Sequence, residues 1–322
     1  MPIEIQPYED CWQKQWEQFV WQSNNGTLFH TRRFLSYHEP GRFQDHSLIF
    51  KEGSRILAVL PATERVVDGK RVLASHTGAS YGGFVYHENL SVQLAFDLVE
   101  SLIEYSRSRG FDKLDMTLPP VIYHARPSNY IDFALYKNGF EYRKREISSV
   151  IPLDFPVDAI LDHFKPEART AYRKSQKMGV DIRKNHDYES FYPILKQNLS
   201  MRHNVLPTHT LEELQKLHQL FPDRIYQFGA YVDGQMAAGV TNFLCNDRVV
   251  LAFYISHDDA FQKYRPVNSL FYEIIKWSIE NGYRFLDYGI FTVNEDPNWG
   301  LGKFKESFGA RGIFRDSYQK TL

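Results

Sequence analysis

The chain has 322 residues, 43% of them hydrophobic and 15% aromatic, which suits one large or two ordinary globular domains and excludes a disordered chain. Its formal net charge is −1, so any contact with nucleic acid needs a local basic patch rather than a global field. The two cysteines, Cys11 and Cys245, lie far apart without metal-ligand spacing, which argues against a disulfide framework or a zinc site and for a reducing compartment. The opening residues MPIEIQPYEDCWQKQW carry no basic start followed by an apolar stretch, and no run approaches the roughly 18 apolar residues of a membrane span. The expected location is the cytoplasm.

In the first half, alternating apolar runs meet at Glu52-Gly53 and Asp68-Gly69, the signature of β-hairpins whose central positions take positive φ. A long helix follows, closed by Gly110 and leading into a short buried strand at Leu114-Asp115; a short helix and a last strand, ALYKNGFEYRKREISSVIPL, complete the half. A junction near residues 150–155 opens the second half. There PEARTAYRKSQKMG reads as a helix with Pro166 in its first turn and Gly179 at its end. Two more helices follow, the second capped by Thr208 or Thr210.

Hairpins return at Asp233-Gly234 and Asn246-Asp247, followed by a second helix–glycine–strand unit. Residues 103–116, IEYSRSRGFDKLDM, align without a gap on residues 275–288, IKWSIENGYRFLDY. Ser106 and Ser278, Gly110 and Gly282, and the Leu-Asp pairs 114–115 and 286–287 coincide. A final FKESFGARGIFRDSYQKTL repeats the short helix and last strand. Each half therefore reads as an α+β layer, with helices over a mixed, mostly antiparallel sheet, and the chain as a tandem duplication divided into residues 1–150 and 151–322.

Three groups of residues, in this order along a duplicated chain, carry a resemblance to a known family. They are SYGGFVY at residues 80–86, the basic helix leading into KMGVDIRK at residues 177–184, and NGYRFLDYGIF followed by GLGKFKESFG. Here the chain resembles the Fem-type (FemAB-like) acyltransferases, which look like two GNAT-like, acyl-CoA N-acyltransferase-type domains in tandem, and the likeness covers nearly the whole chain. It implies an acyl or aminoacyl transferase moving an activated acyl group onto an amine of an anionic acceptor held in a cleft between the halves. Family members in cell-wall synthesis use aminoacyl-tRNA and a peptidoglycan-precursor peptide. Two alternatives stay open: a transferase that uses acyl-CoA or an acyl carrier, and a non-catalytic duplicate that binds an anionic ligand or a partner. No tightly bound cofactor is implied, and the donor enters as a co-substrate. The long helical hairpin inserted in some cell-wall members has no room in this chain.

In the family, the lysine of the Phe-Lys pair, here Lys305, is implicated in binding the anionic acceptor, a role that suits a compact cation. The spacing of Phe304 and Phe308 places both in the core and leaves Lys305 free beside them. The glycines Gly309 and Gly312 read as a helix stop and a strand start.

The GNAT pyrophosphate loop, Gln/Arg-x-x-Gly-x-Gly/Ala, has its counterpart in QKYRPVNS. Arg265 and Val267 stand where glycines belong, so coenzyme A would need a substitute contact from Arg265 and a helix start at Asn268 and Ser269. Arg169, Arg173 and Lys177 fall four apart on one helix face, and residues 165–184 carry seven Lys/Arg against two Asp/Glu. That strip suits phosphates of tRNA, of a carrier or of a nucleotide-linked acceptor, with Arg202 a further candidate for substrate binding. Acyl transfer to an amine needs alignment, a stabilised oxyanion and a proton acceptor rather than a covalent nucleophile. Tyr254 and Asp287 are the catalytic candidates, and Tyr81 and Tyr288 the substrate contacts. Ser75-His76 lacks a Gly-x-Ser-x-Gly setting, which argues against a serine hydrolase.

Overall fold

The computed structural model describes residues 3–203 and 206–322, without the side chains of residues 201–203. In chain order it runs β1 (Glu4–Pro7), α1 (Gln13–Gln22), α2 (Arg32–Leu35), β2 (Gln44–Asp45), β3 (Leu48–Glu52), β4 (Arg55–Leu60), β5 (Ala62–Val67), β6 (Lys70–Ser75), β7 (Val85–Tyr86), α3 (Val92–Ser108), β8 (Lys113–Thr117), α4 (Tyr130–Lys137) and β9 (Glu141–Pro152). It continues through α5 (Ile160–His163), α6 (Pro166–Lys177), β10 (Asp181–Asn185), α7 (Tyr188–His203), α8 (Leu211–Leu220), β11 (Ile225–Val232), β12 (Gln235–Leu244), β13 (Val249–His257), α9 (Pro266–Glu280), β14 (Phe285–Ile290), the small hairpin β15 (Thr292–Val293) and β16 (Asp296–Pro297), α10 (Trp299–Glu306) and β17 (Arg311–Thr321). Two compact units emerge, one of Met1–Glu146 with Phe314–Leu322 and one of Ile147–Ile313. The sequence reading divides the chain near residue 150; the units divide within β9, and the last residues of the chain cluster with the first unit.

The hairpins form where the sequence places them. At Asp68-Gly69 and Asp233-Gly234 all four residues have positive φ, the backbone of a type I′ turn, whose twist matches the strands it joins. In the first unit β1, β3, β4 and β7 make one antiparallel sheet. A second run, β17-β8-β6-β5-β2, is antiparallel except for β6 beside β8. In the second unit β10-β11-β12-β13-β14-β9 is antiparallel except for β13 beside β14.

The repeat seen in the sequence has the same local physics in both copies. Ser106 Oγ donates to Leu102 O and Ser278 Oγ to Ile274 O, each at 2.7 Å. Gly110 and Gly282 close the two helices at φ 72° and 77°, and the N–H of Phe111 and of Tyr283 returns to the serine carbonyl at 3.0 Å, a Schellman ending. Each helix then delivers a strand parallel to the one before it, in the same register. Val72, Leu73 and Ala74 lie beside Lys113, Leu114 and Asp115, and Val249, Val250 and Leu251 beside Phe285, Leu286 and Asp287.

In the second unit α9 buries Leu270, Phe271, Ile274 and Ile275 in the main core. A separate cluster of Tyr188, Phe191, Leu195, Leu214 and Tyr254 brings α7 and α8 together with β13. Among the described residues no helix is long and apolar enough to cross a membrane.

Candidate functional site

The parallel pairing of β13 with β14 stops after Leu251 and Asp287, while β13 runs on to His257. Past that point lies a cavity of about 510 Å³. Ile255 and His257 of β13 form one wall, the first turn of α9 with Arg265, Val267 and Asn268 another, and Leu301, Phe304 and Lys305 of α10 a third. All its lining residues belong to the second unit. Among them are apolar side chains and cations but no carboxylate, an arrangement that favours a largely apolar ligand carrying negative charge.

Lys305 is the singular member of this wall. Its side chain is buried, 4% exposed, and its ammonium donates to Gly289 O at 2.9 Å and Ile290 O at 2.8 Å. Those carbonyls are presented by the kinked end of β14, where Gly289 takes φ 69° and its N–H donates to Asp287 Oδ1 at 2.7 Å. Burial pushes the Lys305 amine down to about 8, against the opposing pull of the nearby Asp287 carboxylate. An ammonium has three donors; with two held by backbone, the third is available to the cavity.

The sequence expectation for α10 is corrected here. Phe304 is exposed and lines the cavity, whereas Lys305 is buried; Phe308, beyond the helix, is fully buried as expected. The cause is Gly302. It packs so closely on Phe291 that a Cβ there would meet the ring at 3.1 Å, and this roll of the helix turns Gly302 and Lys305 inward. The duplicate shows what the position otherwise holds. Four residues before the glycine that follows each short helix, Gly139 or Gly309, stands Leu135 in one unit and Lys305 in the other. Leu135 is fully buried in an apolar core.

The α9 start also differs from the sequence reading. The helix begins at Pro266, which needs no N–H in its first turn, and Arg265 caps it in the left-handed conformation at φ 57°. The backbone thus keeps a glycine-like geometry, but with an arginine side chain attached and without the Pro266 N–H. Arg265 and Asn268 reach the cavity. Ser269 does not line it; its hydroxyl donates to Ser175 Oγ at 2.8 Å, fastening α9 to α6.

The other expected site residues are dispersed. Tyr254 alternates with Ile255 and so faces away from the cavity, its hydroxyl 2.9 Å from His209 Nδ1, and burial pushes the phenol up to about 12. Tyr288 is buried and stacked on Phe271 at 4.4 Å, and its hydroxyl has no hydrogen-bond partner among the described residues. Burial holds that phenol well above its ordinary range. Asp287 is fully buried. Arg169 is half-buried with Nη2 3.4 Å from Phe164 O, while Arg173, Lys174 and Lys177 are exposed along α6. Tyr81 lies in the first unit's core, its hydroxyl 3.3 Å from that of Tyr123. The Arg202 side chain lies outside the described residues. His257 and Asn298 line the cavity but carry no spacing signal that singles them out beforehand.

This geometry, a helix delivering a parallel strand that diverges from its neighbour over a cavity, has counterparts. Residues 163–305 match the family model described as an acetyltransferase (GNAT) domain. The crystal structure of FemX superposes with a TM-score of 0.76 at 13% identity, covering 99% of this chain and 97% of that one. A tandem GNAT protein from the clavulanic acid biosynthesis pathway gives 0.58 at 12% identity, covering 99% and 98%. L-PGS from Bacillus licheniformis gives 0.60 at 12%, covering 95% and 90%. No curated protein matches the sequence. The fold is that of tandem GNAT proteins. A GNAT domain is recognisable within residues 163–305, all of them in the second unit.

Proposed function

We propose that the second unit takes an activated acyl donor into the cavity beyond the β13–β14 pairing and transfers the acyl group to an amine of an anionic acceptor. The observation that carries this is the buried Lys305 ammonium, which donates to the Gly289 and Ile290 carbonyls and belongs to a residue that lines the cavity. A cation in that setting meets a phosphate or carboxylate of the acceptor with little competition from water. In the transfer, the acceptor nitrogen bonds to the donor carbonyl carbon, the bond to the sulfur or oxygen leaving group breaks with its electron pair, and the proton lost by the nitrogen ends on that leaving group as a thiol or hydroxyl. Alignment in the cavity supplies the main acceleration. Asp287 acts as a positioning residue, holding the Gly289 turn whose carbonyl fixes Lys305.

Arg265 and the α9 N-terminus are suited to the donor's phosphates. The Arg265 side chain and the missing Pro266 N–H disfavour the close backbone approach that a coenzyme A pyrophosphate makes to a glycine loop. The exposed Arg173, Lys174 and Lys177 on α6 favour a donor carried on a larger phosphorylated carrier, such as an aminoacyl-tRNA or an acyl carrier protein. The test offers acetyl-CoA, an acylated carrier protein and an alanyl-tRNA in turn, with a phosphorylated amine acceptor, and measures donor deacylation. Turnover of one donor that falls at least about tenfold in Lys305→Leu supports the reading. Binding of acceptor without turnover of any donor refutes transfer.

A further inference from the structure

The internal repeat makes a second cleft. In the first unit the parallel pairing of β6 with β8 ends at Ala74 and Asp115, in the register that ends at Leu251 and Asp287 in the second unit. Beyond it lies a cavity of about 130 Å³, lined entirely by first-unit residues. It has about a quarter of the volume of the second unit's cavity, which suits a small group better than the arm of an acyl donor. It contains the Ser75-His76 pair, which acyl transfer leaves without a role.

The chemistry of its walls is that of a donor set. His76 is 5% exposed, and the Gly78 N–H donates to its Nδ1 at 3.1 Å, so the neutral ring carries its proton on Nε2. That N–H has no hydrogen-bond partner among the described residues. Burial keeps the imidazole neutral, with its pKa down to about 3, so the ring serves as a fixed neutral donor. Ser75 Oγ accepts from the Thr117 N–H at 2.9 Å, which leaves its own proton to donate. Arg65 and Arg143 supply two guanidiniums. Asp115 also lines the cavity, but its carboxylate is doubly matched, by contact with Arg65 and by Lys113 Nζ at 3.2 Å. Arg143 forms no ion pair among the described residues. The balance left over is positive.

The geometry points to an oxyanion-binding site in this cavity, taking a single phosphate or carboxylate group on His76 Nε2–H, Ser75 Oγ–H and the guanidiniums of Arg65 and Arg143. The duplicated cleft has thereby become a small anion site, separate from the acyl-transfer cavity of the second unit. Binding is read directly, so the proposal stands whether or not the second unit transfers acyl groups.

Calorimetric titration of the full chain at low ionic strength with inorganic phosphate, and separately with acetate, tests it. At least one of the two should bind, and the preferred one tells whether a phosphate ester or a carboxylate is the natural group. Arg143→Ala should weaken that binding about tenfold, the effect of losing one charged hydrogen bond. Arg265→Ala, which removes a cation from the other cavity, should leave the anion's effect on the His76 imidazole unchanged, whatever phosphate it releases from the second unit. A ¹⁵N-imidazole spectrum of the unmutated protein should show the His76 Nε2 resonance moving as the anion is added. Absence of binding by both anions, loss of the His76 response in Arg265→Ala with retention in Arg143→Ala, or a static Nε2 resonance would each overturn the assignment.

Discussion

Lys305→Leu is the substitution that the molecule itself supplies, since Leu135 fills the matching helix position of the other unit. A lysine held at about 8 rather than its ordinary 10.5 is charged and buried at neutral pH at a cost of about 3 kcal/mol in stability. The sign follows from proton counts. Between about pH 8 and the unfolded value of 10.5 the unfolded chain binds more protons than the folded one, so this group makes stability rise with pH across that window. Below about pH 8 its destabilisation is fully present. Leucine removes that penalty but leaves the Gly289 and Ile290 carbonyls without their donor, at about 1–3 kcal/mol for each group so stranded. The two effects nearly cancel at pH 7, and the variant should unfold in urea within about 2 kcal/mol of the parent. Its stability should lack the parent's upward slope between pH 8 and 10. Binding of a phosphorylated acceptor should fall by about tenfold or more, the equivalent of 1.5–3 kcal/mol for a charged hydrogen bond. In the parent, that binding should weaken as pH rises through about 8. A parent and a variant with parallel stability profiles and equal acceptor affinity would refute the whole account of Lys305.

Phe308→Ala, which empties a fully buried site against Phe164 and Phe271, should lose about 3–5 kcal/mol in urea unfolding with no specific change in the pH dependence of binding. Calorimetry with acetyl-CoA should show weak binding at most, because Arg265 and Pro266 obstruct a pyrophosphate; tight binding that disappears in Arg265→Ala would show that the arginine replaces the loop glycines. Tyr254→Phe should cost about 1 kcal/mol of stability through the lost contact to His209 and leave transfer almost unchanged. A drop of a hundredfold or more in kcat would return Tyr254 to the chemistry.

Much of the fold was legible because local rules and tertiary structure agree. Asp-Gly turns need positive φ, a glycine ends each long helix, and the matching serines bond back by one turn in both copies, all visible as spacing. What the sequence hides is where long-range packing overrides the local pattern. The i, i+4 pair Phe304 and Phe308 reads as a helix face, yet Gly302 lets α10 approach Phe291 and turns Lys305 inward instead. Asn268 and Ser269 are sound caps by type, but Pro266 starts the helix earlier and leaves Ser269 to bind Ser175. Strand alternation places Tyr254 opposite Ile255, though only the position of α7 and α8 decides which face carries a cavity.

Asp115 and Asp287 show why a repeated residue does not fix a repeated role. Both end a three-residue parallel pairing at the same place in their units, and that shared position is what the sequence alignment detects. Asp115 is ion-paired with Arg65 and Lys113. Asp287 accepts the Gly289 N–H and acts on the buried Lys305 as a nearby charge. The difference lies in the surroundings: a strand arginine over the first aspartate, a kinked strand end and a buried helix lysine beside the second. Exchanging the neighbours rather than the aspartates is therefore the informative experiment. With Leu135→Lys the first unit acquires a buried cation without a Gly289-type turn to hold it, and the variant should lose about 3 kcal/mol or more in urea unfolding at pH 7. If Leu135→Lys were as well tolerated as the native Lys305, the kinked end of β14 would not be what makes a buried lysine possible.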